Sequence, residues 1–127
     1  MKITLTNGAE LSPLSVYGVA REVQGAKRDT LHFVFHVEEG LEALDSIFTE
    51  ENCESITITE DSGDSFIHKG YTIRAELSKR NMIVGMNEEN EPIYDDRLTV
   101  AMAQRTSAEN QLKEVQSAMM ALAGVEV

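Results

Sequence analysis

The sequence is poor in several residue types on which common protein functions depend. It contains one cysteine, two prolines, three tyrosines and no tryptophan in 127 residues. A single cysteine excludes a disulfide within the chain. Without tryptophan, and with scattered tyrosines, there is no evident aromatic platform for stacking a base or a sugar. No apolar run approaches the roughly 20 residues of a membrane helix, so we predict no membrane partner.

Basic residues are also scarce, which limits the partners. Lysine and arginine number 11 against 22 acidic residues, for a net charge of -11. Binding to nucleic acid needs clustered basic side chains, so we predict no nucleic-acid partner. Ten carboxylates lie in residues 38–64 without a lysine or arginine, whereas basic residues gather at 21–28 and 69–80. This separation predicts either head-to-tail stacking of subunits or simply a solvated acidic surface.

No pattern in the sequence indicates a catalytic or metal site. It has no glycine-rich phosphate loop and no nucleophile elbow. His32 and His36 would lie about 13 Å apart on one strand at ~3.3 Å per residue, too far to share an ion, so they are expected at a surface or interface. Residues 61–64 have the composition of a tight turn. Cys53 lies among carboxylates, which raise a thiol pKa. We therefore expect a non-enzymatic protein with no catalytic residue, metal or cofactor.

Alternation of apolar and polar residues predicts a strand-rich body over residues 1–105. The predicted strands span residues 2–6, 10–11, 14–23, 30–37, 54–59, 66–79, 82–86 and 97–105, with a bulge at Gly18, a polar turn at 24–29 and a bend at Gly70. An apolar stripe predicts a short helix at about 40–50. The start of the chain is expected to be a strand and a turn rather than a signal peptide. The predicted core consists of Leu31, Phe33, Phe35, Leu44, Phe48, Ile56, Ile58, Ile73 and Leu77.

The end of the chain predicts a second helix, here called α2, at about 106–123. Thr106-Ser-Ala-Glu109 has the form of a capping box, in which side chains at the first turn satisfy free backbone amides. The apolar positions that follow recur at helical spacing and form a seam, here called the α2 seam: Leu112, Val115, Met119 and Leu122. We predict that this seam is a protein interface, either with the protein's own sheet or with another subunit. The same spacing can be read backwards, so a single helix over 95–123 is the alternative to a strand followed by a helix.

These patterns together predict one α+β domain over residues 1–127, with a body at 1–105 and a C-terminal helix within 106–127. The body is predicted to be a twisted, mainly antiparallel sheet or partly closed barrel of five to seven strands. The short helix is expected to cover one face of it.

Three segments resemble a group of phage proteins. Residues 28–35, the helix from Gly40, and the hairpin at 55–79 with its Gly-Tyr-Thr-Ile segment resemble small uncharacterised proteins of Gram-positive phages and prophages. The Asp-Thr-Leu-x-Phe-x-Phe strand is similar to one in the β-barrel domains of tail hub and distal-tail proteins. The resemblance implies a non-enzymatic structural or assembly component of a phage tail or baseplate. It carries over no functional residue.

Such a component would contact itself or other phage structural proteins, as a homo-oligomer or otherwise. It would be found in the bacterial cytoplasm during assembly, or in the virion. The alternative is a small soluble domain that binds a ligand or a regulatory partner. An enclosed apolar pocket would favour the alternative, and open sheet edges would favour the assembly role.

Overall fold

The computed structural model describes residues 1–122, without the side chains of residues 113, 114 and 117–122. The described residues form eight strands, two α-helices and one short 3-10 helix at Val37–Glu39. The strands are β1 Lys2–Thr4, β2 Glu10–Leu11, β3 Ser15–Val23, β4 Ala26–His36, β5 Ser55–Thr59, β6 Ser65–Lys69, β7 Ile73–Met86 and β8 Pro92–Ala103. The helices are α1 Leu41–Ile47 and α2 Ser107–Leu122.

The strands form two antiparallel four-stranded sheets. Their orders are β2-β1-β5-β6 in the first sheet and β3-β4-β8-β7 in the second. Over residues 1–122 the sheets do not close into a barrel, so each has two edge strands. The predicted α+β class is confirmed, and the strand count exceeds the predicted five to seven.

The segment predicted as one strand over 66–79 is divided at Gly70 into β6 and the start of β7. Gly70 has a φ of 79°, a conformation that glycine adopts at little cost. The chain leaves the first sheet after β6 and enters the second at β7. Residues 82–86, predicted as a separate strand, continue β7 instead.

Two predictions about the β3–β4 hairpin are wrong. Gly18 pairs with Leu31 in an unbroken register, and the bulges lie in β7, between Arg74 and Glu76 and between Ile83 and Gly85. The turn was predicted over 24–29 but consists of Gln24 and Gly25 alone. Both residues have positive φ, at 50° and 77°. Two such residues make the tight turn whose twist matches that of paired strands. β4 therefore begins at Ala26.

The core lies between the two sheets and beneath α1. Of the nine predicted core residues, seven belong to it, Leu77 packs against it half-buried, and Ile73 is not part of it. The core also contains Ile3, Leu5, Cys53, Tyr71, Leu98, Val100 and Met102. Phe48 follows α1 and places its ring 5.3 Å from that of Phe33 and 5.9 Å from that of Phe35. These aromatic contacts fasten α1 to the second sheet.

β8 settles the alternative for the end of the chain. It pairs with β4 from Thr30↔Ala103 to His36↔Arg97 and with β7 along its other side. A strand followed by a helix is therefore confirmed, and a single helix over 95–123 is excluded. The central position of β8 explains its composition, because residues 98–103 are buried on both faces.

Candidate protein-interaction surfaces

The start of α2 is closed by the predicted capping box. The backbone N–H of Thr106 donates to the Glu109 carboxylate over 2.8 Å, and the N–H of Glu109 donates to the Thr106 hydroxyl over 3.3 Å. These reciprocal bonds satisfy two amides that a helix start leaves without partners.

The same carboxylate ties α2 to the body through Arg28. The Arg28 side chain is 2% exposed and donates from both terminal nitrogens to the two carboxylate oxygens of Glu109. Its Nε donates to the carbonyl of Val23 over 2.8 Å. The hydrogen bonds from Arg28 hold the pKa of Glu109 at about 2, and the same contact raises the pKa of Arg28. The first turn of α2 is therefore bound to the β3–β4 hairpin.

Arg105, just before α2, links this helix to Glu54, the residue that precedes β5 of the first sheet. Its guanidinium donates to both carboxylate oxygens of Glu54, over 2.9 and 2.8 Å, and its Nε donates to Asn110 over 3.0 Å. The Arg105 backbone N–H donates to the carbonyl of Gly70 over 3.0 Å. Two-point charged hydrogen bonding of this kind restricts orientation as well as distance.

Beyond this anchored turn, the α2 seam faces solvent where its side chains are described. Leu112 is 59% exposed and Val115 is 54% exposed. Met119 and Leu122 belong to the helix by their backbone, and their side chains lie outside the described residues. Within residues 1–122, Leu112 and Val115 are more than half exposed, and their role as an interface stays a prediction.

A second exposed apolar surface, which the sequence did not suggest, lies at the tip of the β7–β8 hairpin. Pairing of β8 with β4 ends at Arg97, whereas pairing with β7 continues to Pro92. Residues 81–96 therefore extend past β4 and are here called the arm. It exposes Ile83, Val84, Met86, Ile93 and Tyr94. Alternation on both sides of the polar turn at 87–91 was the signal available for this hairpin.

The edge strand β6 is the third exposed apolar surface. Phe66 is 52% exposed and Ile67 is 63% exposed, on opposite faces of the strand. A cleft of about 200 Å³ opens beside Phe66, and Val16, Tyr17 and Ile58 are among its lining residues. The cleft lies where β6 of one sheet and β3 of the other approach as edges.

His32 was expected at a surface or interface, but it is buried because both faces of β4 are covered. It is 4% exposed, its ring stacks on Tyr17 at 4.8 Å, and its Nε2 lies 3.2 Å from the Arg21 guanidinium. Burial and the neighbouring Arg21 lower the pKa of His32. A neutral ring therefore accepts a hydrogen bond from Arg21, which also pairs with Glu76 at 3.3 Å. The His32 ring thus packs against Tyr17 and Arg21 and contributes to the structure of the second sheet.

The basic residues expected to meet a neighbour's acidic surface are largely paired within the chain. Ion pairs join Arg21 to Glu76, Arg28 to Glu109, Arg74 to Asp45, Lys79 to Asp96 and Arg80 to Glu76. Acidic residues outnumber basic residues by 22 to 11 in the sequence. Head-to-tail stacking by charge stays a prediction, with few basic groups left to support it.

Cys53 is a core residue, and its carboxylate neighbours in sequence do not decide its chemistry. It is fully buried, and burial raises the pKa of its thiol to about 12. In residues 1–122 no group of three or more His, Cys, Asp or Glu side chains is arranged to hold a metal ion. No helix in the described part of the chain is long and apolar enough to span a membrane.

In comparisons with known proteins, no family model, curated protein or solved structure matches the chain.

Proposed function

We propose that the protein is a non-enzymatic structural or assembly component that acts through protein–protein contacts, in a phage or prophage tail or baseplate. It works in the bacterial cytoplasm during assembly or in the virion. The observation that carries the assembly role is the α2 seam, where Leu112 and Val115 are more than half exposed on a helix whose first turn is anchored. The phage context rests on the sequence resemblance alone.

The anchoring of α2 supports this role because it lowers the cost of binding. A two-heptad helix alone is marginal in water. Here the capping box and the Arg28–Glu109 pair order its first turn before any partner arrives. A partner that covers Leu112 and Val115 therefore gains apolar contact without having to order that turn.

The clefts favour this role over ligand binding. Small-molecule sites are typically concave, mostly apolar and deep enough to bury the ligand. The clefts beside Phe66, beside Leu14 and beside Arg28 are open to solvent, with volumes of about 200, 300 and 330 Å³. The last of these is lined mainly by polar and charged residues.

Paired lysine variants test the assembly role. Leu112→Lys with Val115→Lys places two charges on the α2 seam, and lysine keeps good helix propensity. Gln111→Lys with Gln116→Lys adds the same charge at neighbouring exposed positions. We expect the seam variant to sediment as a smaller assembly than the wild type, with an unchanged circular dichroism spectrum. The control variant should sediment like the wild type. An unchanged assembly in the seam variant contradicts the role of α2.

The phage context has a separate test. Genes for tail or baseplate proteins beside the gene for this chain would support it. A position among genes of metabolism would contradict the phage context and leave the assembly role of α2 open to the lysine test.

A further inference from the structure

Strand β6 is a weakly protected edge among the four edge strands of residues 1–122. Natural edges avoid unwanted pairing by being short, bulged, charged or interrupted by proline. β2 has two residues and is followed by Pro13, β7 carries two bulges, and β3 carries Arg21 and Glu22. β6 has five residues, a regular register with β5 and two large apolar residues at its centre.

The backbone of β6 shows which groups a partner would meet. At the two ends of the β5–β6 hairpin, Glu60 N–H donates to Asp64 and Gly70 N–H donates to Glu54. Hydrogen-bonded pairs recur at every second position of an antiparallel ladder, so Phe66 and His68 bond to β5. The N–H and C=O groups of the positions between them are directed away from β5.

Two of these outward positions are available for pairing. The carbonyl of Lys69 already accepts from the Gln104 side chain over 3.1 Å. For Ser65 and Ile67 the described part of the chain supplies no partner for the outward backbone groups. The free hydrogen-bonding groups of the edge are therefore centred on Phe66.

We propose that β6 pairs antiparallel with β6 of a second copy of this chain, about a two-fold axis at Phe66. Ser65 then lies opposite the partner's Ile67, and Ile67 opposite the partner's Ser65. Each pair exchanges two backbone hydrogen bonds, which satisfies the outward groups of both strands. The two first sheets join into one continuous sheet. This surface is separate from the α2 seam, so the inference does not depend on the proposed function.

The side chains of this register are complementary. Phe66 faces the partner's Phe66 in a non-hydrogen-bonded pair, where side chains approach closely and aromatic pairs are favourable. Each ring lies at the mouth of the open cleft beside Phe66, which provides room for it. Asp64 lies opposite the partner's His68 at both ends, so unlike groups meet there. Lys69 lies beyond the paired segment and faces the partner's Gly63.

This symmetry is the reason for choosing a second copy as the partner. In a two-fold pairing a segment faces an identical copy of itself running in the opposite direction, so the segment must be complementary to itself. The segment 64–68 meets this condition, with its aromatic residue on the axis and its carboxylate and histidine at equal distances from it.

A lysine variant and a matched control test the pairing. Phe66→Lys places two ammonium groups directly opposite each other across the axis. Val37→Lys changes an exposed apolar residue of the 3-10 helix, outside β6, the arm and the α2 seam. We expect the wild type and Val37→Lys to sediment at no less than twice the mass of Phe66→Lys. A monomeric wild type, or an unchanged mass for Phe66→Lys, overturns the proposal. Loss of assembly only with the α2 seam variant also overturns it, while leaving the proposed function supported.

Cysteine cross-linking tests the register independently of folding effects at Phe66→Lys. Paired Cα atoms at a non-hydrogen-bonded position lie about 4.5 Å apart, within the range for a disulfide. Lys69→Cys would lie about 20 Å from its symmetry mate at ~3.4 Å per residue. Under air oxidation we expect a covalent dimer from Phe66→Cys and not from Lys69→Cys. Equal cross-linking of both variants, or none, contradicts this register. Cys53 is fully buried and serves as the internal background.

Discussion

Arg28 and Glu109, 81 positions apart in the chain, form a two-point ion pair that joins the β3–β4 hairpin to the first turn of α2. The Arg28 side chain is almost fully buried, whereas the Glu109 side chain is partly exposed. Glu109 therefore has two roles, because it also caps the helix through the Thr106 amide. This carboxylate and the contacts of Arg105 together orient the first turn of α2.

The first prediction concerns pH and Glu109. Its pKa falls from an ordinary value of 4.5 to about 2 because it accepts hydrogen bonds from Arg28. Its contribution to stability is therefore present above about pH 4.5 and is lost as the pH falls towards 2. We expect Glu109→Gln to melt below the wild type at pH 7, with the difference shrinking in acid. Glu88→Gln, in an exposed turn, is the control. A constant difference between pH 7 and pH 2 would contradict the pairing.

The second prediction concerns the core. Phe33 is fully buried and contacts the Phe48 ring. We expect Phe33→Ala to lower the free energy of unfolding by about 3–5 kcal/mol, through lost burial and the cavity that remains. Tyr94→Ala, at a position 57% exposed, is the control and should change it by less than about 1 kcal/mol. The measurement is urea unfolding. A loss below about 1 kcal/mol for Phe33→Ala would mean that the face of β4 is wrongly assigned.

The third prediction concerns His32. Burial lowers its pKa from 6.5, as do Arg21 and Arg80, while Glu76 acts in the opposite direction. The unfolded chain then binds a proton more readily than the folded one, so stability falls as the pH drops below about 6.5. Between pH 7.5 and 5 the melting temperature should fall less for His32→Phe than for the wild type. His36→Phe, at an exposed position, should behave like the wild type. Parallel curves for all three proteins would exclude His32 as the cause.

The fourth prediction concerns salt. Arg21, Arg28 and Arg74 are paired inside the chain, and the proposed contacts are centred on the apolar side chains of Leu112 and Phe66. Salt screens interactions between exposed charges over a Debye length of about 8 Å and affects apolar contacts much less. We expect the sedimenting mass to change little between low and high salt. Dissociation in high salt would instead support stacking between acidic and basic faces.

The sequence determined the features that depend on local periodicity. The strands at 30–37 and 54–59, the capping box and the seven confirmed core residues all follow from spacing along the chain. A strand that lines the core places apolar residues at every second position, and a helix start must satisfy its free amides, so both features leave a local signal in the sequence.

Only the tertiary structure decided which strands share a sheet and which surfaces stay open. Gly70 separates β6 from β7, yet its sequence context also fits a bend within one strand. The alternating pattern of β4 could not reveal that His32 is buried on the second face, because burial depends on the neighbouring strands. The arm, the β6 edge and the Arg28–Glu109 pair likewise arise from residues that are distant along the chain. Periodicity encodes which side of an element is apolar, whereas strand order and long-range pairing are set by the packing of whole sheets, which no single window of sequence contains.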